Sequence, residues 1–365
     1  MSKILRGAAA LVLTMGVISA ASASPGLDAA LSSVPWDRAV AEAAAHDAGH
    51  SGAFQLASNS EASCAATDPC CDDCLGCAEG VDCGSACGCG PVWYASVGIV
   101  LLERERPTRG TIVAGNPSGV PFARAQQFDF DFELGPDLTL ARRLSGGTIV
   151  EGRYYGVDST ADLSGTTPGN FIGGGFTGPG GTLIRGHYLT KLDSTEINLR
   201  RPVNEYLSVL AGFRWVELAD KLTYRMGPTA RGEYDFNNRL YGGQLGASFT
   251  PLRPSARWIL NIEGKGGLYG NDADGGILLF QPGPIGQFSD HDTTTSFVSQ
   301  IDFTAGYRLN RRVTLRTGYQ LLWLDNVALA SDAASRSLLN PSLLTDIDYG
   351  DLFYHGAMTS IDFVW

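Results

Sequence analysis

The chain has 365 residues, a formal net charge of −11, 46 glycines and only 18% charged residues. That length holds one large or two ordinary domains, and the acidic balance excludes a nucleic-acid partner, which needs a basic face to neutralise phosphates. It does not exclude a membrane, because a bilayer-facing surface needs uncharged side chains on one side only.

Residues 1–23 read as a cleaved export signal. Lys3 and Arg6 form a positive start, "GAAALVLTMGVISA" is the apolar run, and Ala21 and Ala23 are small residues at the cleavage positions. The run falls short of the roughly 20 residues of a spanning helix, and no later stretch reaches that length. Residues 24–63 form an Ala/Ser-rich linker. In it "VPWDRAVAEAAAH" favours a short helix, and His46 and His50 read as solvated. Residues 64–90 hold all eight cysteines: Cys64, Cys70, Cys71, Cys74, Cys77, Cys83, Cys87 and Cys89. An exported chain meets an oxidising compartment, so disulfides are the first reading and a thiolate cluster the second. Cys71, Cys74 and Cys77 have iron–sulfur spacing, but the fourth ligand of that run is missing. No cofactor and no metal site is therefore expected.

From residue 91 to 365 the period becomes two. In "WYASVGIVLL" Trp93, Ala95, Val97, Ile99 and Leu101 share one face; in "FDFDFEL" Phe128, Phe130, Phe132 and Leu134 do. The same alternation sets Phe297, Ile301, Phe303 and Tyr307 against Gln300, Asp302, Thr304 and Arg308, and Leu315, Tyr319, Leu321 and Trp323 against Arg316 and Gln320. Ten strands are expected near 93–103, 126–142, 148–158, 185–200, 206–222, 234–249, 257–269, 294–309, 312–326 and 352–365, with twelve as the alternative count. Most are long enough to cross a bilayer at a tilt. Connections alternate: long near 104–125, 159–184, 270–293 and 327–351 (with a shorter one near 223–233), and short at "LSGG", "RPVNE", "TPLRPSA" and "NRR". This pattern predicts an all-β fold, a transmembrane antiparallel up-and-down β-barrel, with short turns and both chain ends on the periplasmic side.

Ionisable residues recur on the polar face, including Arg200 and Asp362. The expected lumen-lining residues are Asp131, Glu133, Glu196, Arg214, Glu263, Lys265, Asp302, Arg308 and Arg316. Ten strands make a narrow barrel, so these charges are expected to pair across the lumen. Trp93, Trp258 and Trp365 fall near periplasmic strand ends, Trp215 and Trp323 lie farther along, and Tyr224 and Tyr349 lie near outer ends, as an aromatic girdle requires.

"WYASVGIVLLERERP" after a cysteine-rich spacer, "GFRWVELADKL", "NRLYGGQLGA", "GYQLLWLDNVALA" and "LFYHGAMTSIDFVW" resemble a family of outer-membrane β-barrel porins abundant in planctomycete genomes, over roughly Trp93 to Trp365. The resemblance implies a barrel of unestablished transport role and brings no catalytic residues. The last strand, with Phe363 and Trp365 on one face, resembles the signal strand read by the barrel assembly machinery, although Ser360 and Met358 depart from its usual form.

The expected function is an outer-membrane porin or structural envelope protein, not an enzyme. Its expected partners are outer-membrane lipid and the assembly machinery, with a homo-oligomer left open. One alternative is surface binding or adhesion through the long outer loops, in which residues 159–184 are Gly- and Thr-rich, and Asp272 and Asp274 faintly resemble a calcium loop lacking its later glutamate. The other is a membrane-embedded hydrolase or acyltransferase using His187, His291 or His355, for which no nucleophile motif is present.

Overall fold

The computed structural model describes residues 92–365, apart from 108–109, 145, 252–256, 282 and 339–345. The export signal, the linker with His46 and His50, and the eight cysteines all lie outside the described residues.

The described residues form fourteen strands, one short α-helix and a single 3-10 turn at Ala125–Gln127. The strands are β1 (Trp93–Arg104), β2 (Thr111–Gly115), β3 (Pro121–Arg124), β4 (Glu133–Arg143), β5 (Ile149–Thr166), β6 (Phe171–Gly173), β7 (Phe176–Gly178), β8 (Leu183–Pro202), β9 (Leu207–Met226), β10 (Ala230–Phe249), β11 (Trp258–Phe280), β12 (Pro284–Arg308), β13 (Val313–Ala328) and β14 (Tyr349–Val364); the helix is α1 (Ala330–Arg336). Ten strands close a barrel in the order β1-β14-β13-β12-β11-β10-β9-β8-β5-β4, every pair antiparallel. Within the closed part every strand is paired on both sides, which satisfies its backbone; above it, residues 156–166 of β5 and 284–296 of β12 pair on one side only among the described residues. Strands β1 and β14 seal it in register from Tyr94↔Val364 to Arg104↔Tyr354. The amides of Val92 and Trp93 also donate to the Trp365 carbonyl, at 3.0 and 2.9 Å.

Every wall strand has two different faces. On β9 the residues Val209, Phe213 and Trp215 point out and are about half exposed, while Arg214, Val216 and Leu218 on the alternate row point in and are buried. Leu245, Leu268, Ile197, Trp258 and Trp365 are other large apolar side chains on the outside, each at least 56% exposed. They form a belt around the barrel. On β12 its outward row runs from Phe297 to Tyr307, ten steps, or about 34 Å along the strand. At a tilt of about 45° this is about 24 Å of height, the height of a membrane barrel's apolar band.

The belt ends sharply. Trp215 faces Tyr241 across β9 and β10, and the next outward pair is Glu217 with Arg239. At the opposite edge Trp258 packs against Tyr307 with ring centroids 4.9 Å apart, and the Arg142 guanidinium lies 5.1 Å from the Trp93 ring. The edge beside the chain terminus carries only short turns and is called the turn end; the other is the loop end. Strands β8 to β12, of 20 to 25 residues each, continue well past the belt at the loop end.

That extension changes several expected loops. Residues 270–293 are mostly the upper parts of β11 and β12, so Asp272 and Asp274 sit on a paired strand, opposite Thr293 and His291, and not in a calcium-type loop. The expected connection near 223–233 shrinks to residues 227–229 between β9 and β10. Residues 104–125 and 159–184 contain β2, β3, β6 and β7, which pair as a separate four-stranded sheet in the order β3-β2-β6-β7. The expected strand 126–142 begins only at Glu133. Phe128 and Phe130 are fully buried, while Phe132 and Leu134 are about half exposed, so the four do not share a face. An apolar cluster over the barrel mouth draws in the first two before the wall begins.

Candidate functional site: the barrel interior

The interior is built in three layers, which can be followed along β9 from the turn end: Arg214, then Val216 and Leu218, then Asp220, then Leu222, Tyr224 and Met226, all buried.

The lowest layer is charged. Arg153 donates to Asp137 at 2.9 Å and approaches Asp302 at 3.3 Å. Arg200 joins Glu263 at 2.8 Å and Glu151 at 3.3 Å. Lys265 joins Glu196 at 2.7 Å, and Arg316 joins Asp362 at 2.7 Å. Arg214 has no carboxylate within ion-pair distance among the described residues and instead donates to the Ser194 and Tyr155 hydroxyls. Tyr155 donates onward to Gln300, whose amide donates to Asp302. The acids and bases come from different strands, so the network cross-links the wall. Taking such charges out of water is costly unless each has partners, which explains why they interlock so closely. A cavity of about 110 Å³ remains among Asp137, Glu151, Arg153, Arg200, Glu263 and Lys265.

The middle layer is apolar. Val100, Leu102, Leu192, Val216, Leu218, Leu240, Leu322 and Leu324 converge there with no solvent exposure. An eight-stranded barrel is just filled by its side chains, and ten strands add little width.

The upper layer is a cap. Ile112 and Val113 of β2, Phe128, Phe130, Phe171, Phe176 and the alanines of α1 pack against Tyr188, Leu222, Tyr224, Tyr234 and Phe236 of the extended wall. Tyr224 therefore lies inside the cap, not in an outer aromatic girdle as its position in the sequence suggested. Gly174, at φ +55°, turns β6 into β7 where a Cβ would strike the Tyr224 hydroxyl. One polar knot ties the cap to the wall. Asp220 accepts hydrogen bonds from the Tyr188 hydroxyl at 2.7 Å and the Ala330 amide at 2.8 Å, and pairs with Arg104 at 3.0 Å. The Arg104 guanidinium also lies over the Phe130 and Tyr188 rings. In α1, burial and the nearby Asp348 and Asp220 push the Asp332 carboxyl up to about 6.

Of the expected lumen residues, Glu196, Arg214, Glu263, Lys265, Asp302 and Arg316 meet in the lowest layer. Glu133 starts β4 on the inward row, half-buried, and Arg308 is half-buried at the turn end. Asp131 does not line the lumen: it is exposed and precedes β4, because the chain there belongs to the cap. Sequence reasoning missed Asp137, Glu151, Arg153, Arg104 and Asp220. Glu151, Arg153 and Tyr155 do alternate with outward Val150, Gly152 and Tyr154, a signal diluted by the glycine. The three histidines face outward: His187 meets Asp162 at 2.8 Å, His291 meets Asp274 at 3.0 Å, and His355 meets the Tyr319 hydroxyl at 2.8 Å.

No family model matches the chain, and no curated protein matches it. Among solved structures, the chain is similar to the outer membrane protease OmpT from Escherichia coli, with 11% identity over 75% of this chain and 97% of that one, at a TM-score of 0.43. It is similar to the translocator domain of the autotransporter NalP from Neisseria meningitidis, with 7% identity, 74% and 88% coverage and a TM-score of 0.36. For the Pseudomonas putida toluene transporter TodX the values are 9%, 76%, 90% and 0.33.

Proposed function

We propose that the protein is an outer-membrane β-barrel with a closed lumen, an envelope structural protein that holds a rigid capped wall above the outer surface. The turn end faces the periplasm. The apolar belt supports the membrane setting, since a soluble barrel has no reason to expose Leu245 at 70% and Leu268 at 66% in one continuous band. The closed lumen is the observation that carries the role: an interlocked charged layer, an apolar layer and an apolar cap follow one another inside a narrow barrel. A general-diffusion porin needs a continuous aqueous path.

The test combines folding and permeation. An outer-membrane fraction should contain a form that migrates faster on a gel before boiling, as closed barrels do. Vesicles carrying that form should swell in small sugars no faster than lipid alone. Swelling that grows with the amount of folded protein would favour the porin reading.

A further inference from the structure

The two ends of the barrel treat their arginines and lysines differently. Past the belt at the loop end, most exposed cations are paired, among them Lys191 with Asp193, Lys221 with Asp235, Arg239 with Asp274, and Arg336 with Asp346, while Arg124, Arg185 and Arg225 are exposed without an ion pair among the described residues. At the turn end the pairing is missing throughout. Arg142, Arg201, Arg257, Arg311 and Arg312 are exposed, and none has a carboxylate within ion-pair distance among the described residues. They are distributed around the ring. Arg142 is the penultimate residue of β4, Arg201 lies near the end of β8, Arg257 precedes β11, and Arg311 and Arg312 lie in the turn from β12 to β13. Each of the four turns between wall strands therefore has at least one. Glu205 is the exposed acid among them. In a chain of net charge −11 this ring does not follow from composition.

Their height is also specific. Arg142 stacks over Trp93, Arg257 precedes the exposed Trp258, and the Arg312 carbonyl accepts the Val364 amide beside Trp365. Tryptophans at a belt edge sit at the headgroup level of a bilayer. Guanidinium is planar and always charged, and it binds phosphate oxygens in pairs.

We propose that this ring binds the phosphates of anionic phospholipids in the membrane leaflet at the turn end. The inference rests on the membrane reading above. Basic residues at a charged leaflet each contribute about fivefold in partition at low salt, and the effect fades within a Debye length. The acidic loop end offers no such attraction, so the ring also gives the barrel a polarity across the bilayer.

The test uses the full chain, reconstituted in phosphatidylcholine vesicles containing a minority of phosphatidylglycerol, with spin-labelled versions of each lipid. Motionally restricted phosphatidylglycerol should exceed its share several-fold at low salt and fall toward it at high salt. The variant carrying Arg142→Gln, Arg201→Gln, Arg257→Gln, Arg311→Gln and Arg312→Gln should lose the enrichment. Arg311→Gln with Arg312→Gln, confined to one exposed turn, should lose part of it even if the larger variant assembles poorly. Lys221→Gln at the other end should keep it. Equal restriction of both lipids by the wild-type protein, or enrichment that survives all five substitutions, would overturn the proposal. So would arginine-dependent sedimentation with an anionic cell-wall polymer without any lipid enrichment. Heat-modifiable migration separates the two readings: a folded, inserted barrel without lipid preference sinks only this inference, whereas failure to insert sinks the membrane reading beneath it.

Discussion

Asp220 is the place where the cap can be cut loose with one atom changed. Asp220→Asn keeps the shape of the side chain and an oxygen for the Tyr188 hydroxyl and the Ala330 amide, which lie at 2.7 and 2.8 Å. It removes the charge that faces Arg104 at 3.0 Å, and Arg104 is only 1% exposed. A buried cation left without its partner costs about 3–5 kcal/mol. Arg104→Met strands the carboxylate instead, but that carboxylate keeps two donors, so the expected cost is about 2–4 kcal/mol. The double variant strands neither charge, and its cost should be about 1–3 kcal/mol, well below the sum. The assay is urea unfolding followed by gel mobility before boiling, together with limited proteolysis of residues 104–132, which should become cleavable first in the Asp220→Asn protein. Asp220→Asn within about 0.5 kcal/mol of wild type, or a double variant equal to the sum of the singles, would refute the view that this pair secures the cap.

Leu245→Arg, at the most exposed apolar position of the belt, should cost about 2–4 kcal/mol of folding from lipid-bound unfolded chain, whereas a soluble barrel would barely register it. Asp332 tests the cap by pH. Its folded pKa of about 6 lies above the ordinary carboxyl value, so the folded state binds the extra proton and stability falls as pH rises from about 4 to 6. Asp332→Asn should therefore slow hydrogen exchange of α1 at pH 7, by at most about 3 kcal/mol in opening free energy, and change nothing below pH 4; equal exchange at pH 7 would contradict it. Trp365→Asp should lower the amount of assembled barrel more than any property per assembled molecule, read by surface labelling against total protein; normal surface levels would leave the tryptophan as packing at a strand end.

The wall was legible in the sequence because its two faces meet opposite environments. On β12 the row from Phe297 to Tyr307 meets the belt side, and the row through Gln300, Asp302 and Thr304 meets the interior, so alternation alone places both. Above the belt this contrast vanishes. The outward row of β11 becomes Gly270, Asp272, Asp274 and Gly276, which reads as a loop although it is paired strand. The segment 128–132 fails in the opposite way. Its alternation persists, but Phe128 and Phe130 serve the cap, so a local period of two misplaces Asp131. The interior site was half legible for a related reason: charges flanked by large apolar outward residues stood out, as Arg214 did between Phe213 and Trp215, whereas Arg104 stood at the edge of an expected loop. The cap itself depends on contacts between segments far apart in the chain, such as Tyr234 with Ser337, which no local pattern encodes.

The closed interior is the central claim, and ionic conductance across a planar bilayer tests it most directly. Folded, heat-modifiable protein should give no conductance steps over the usable voltage range, because the apolar layer and the cap interrupt any water path. Reproducible steps from the unmodified protein, sustained and scaling with protein added, would contradict the account.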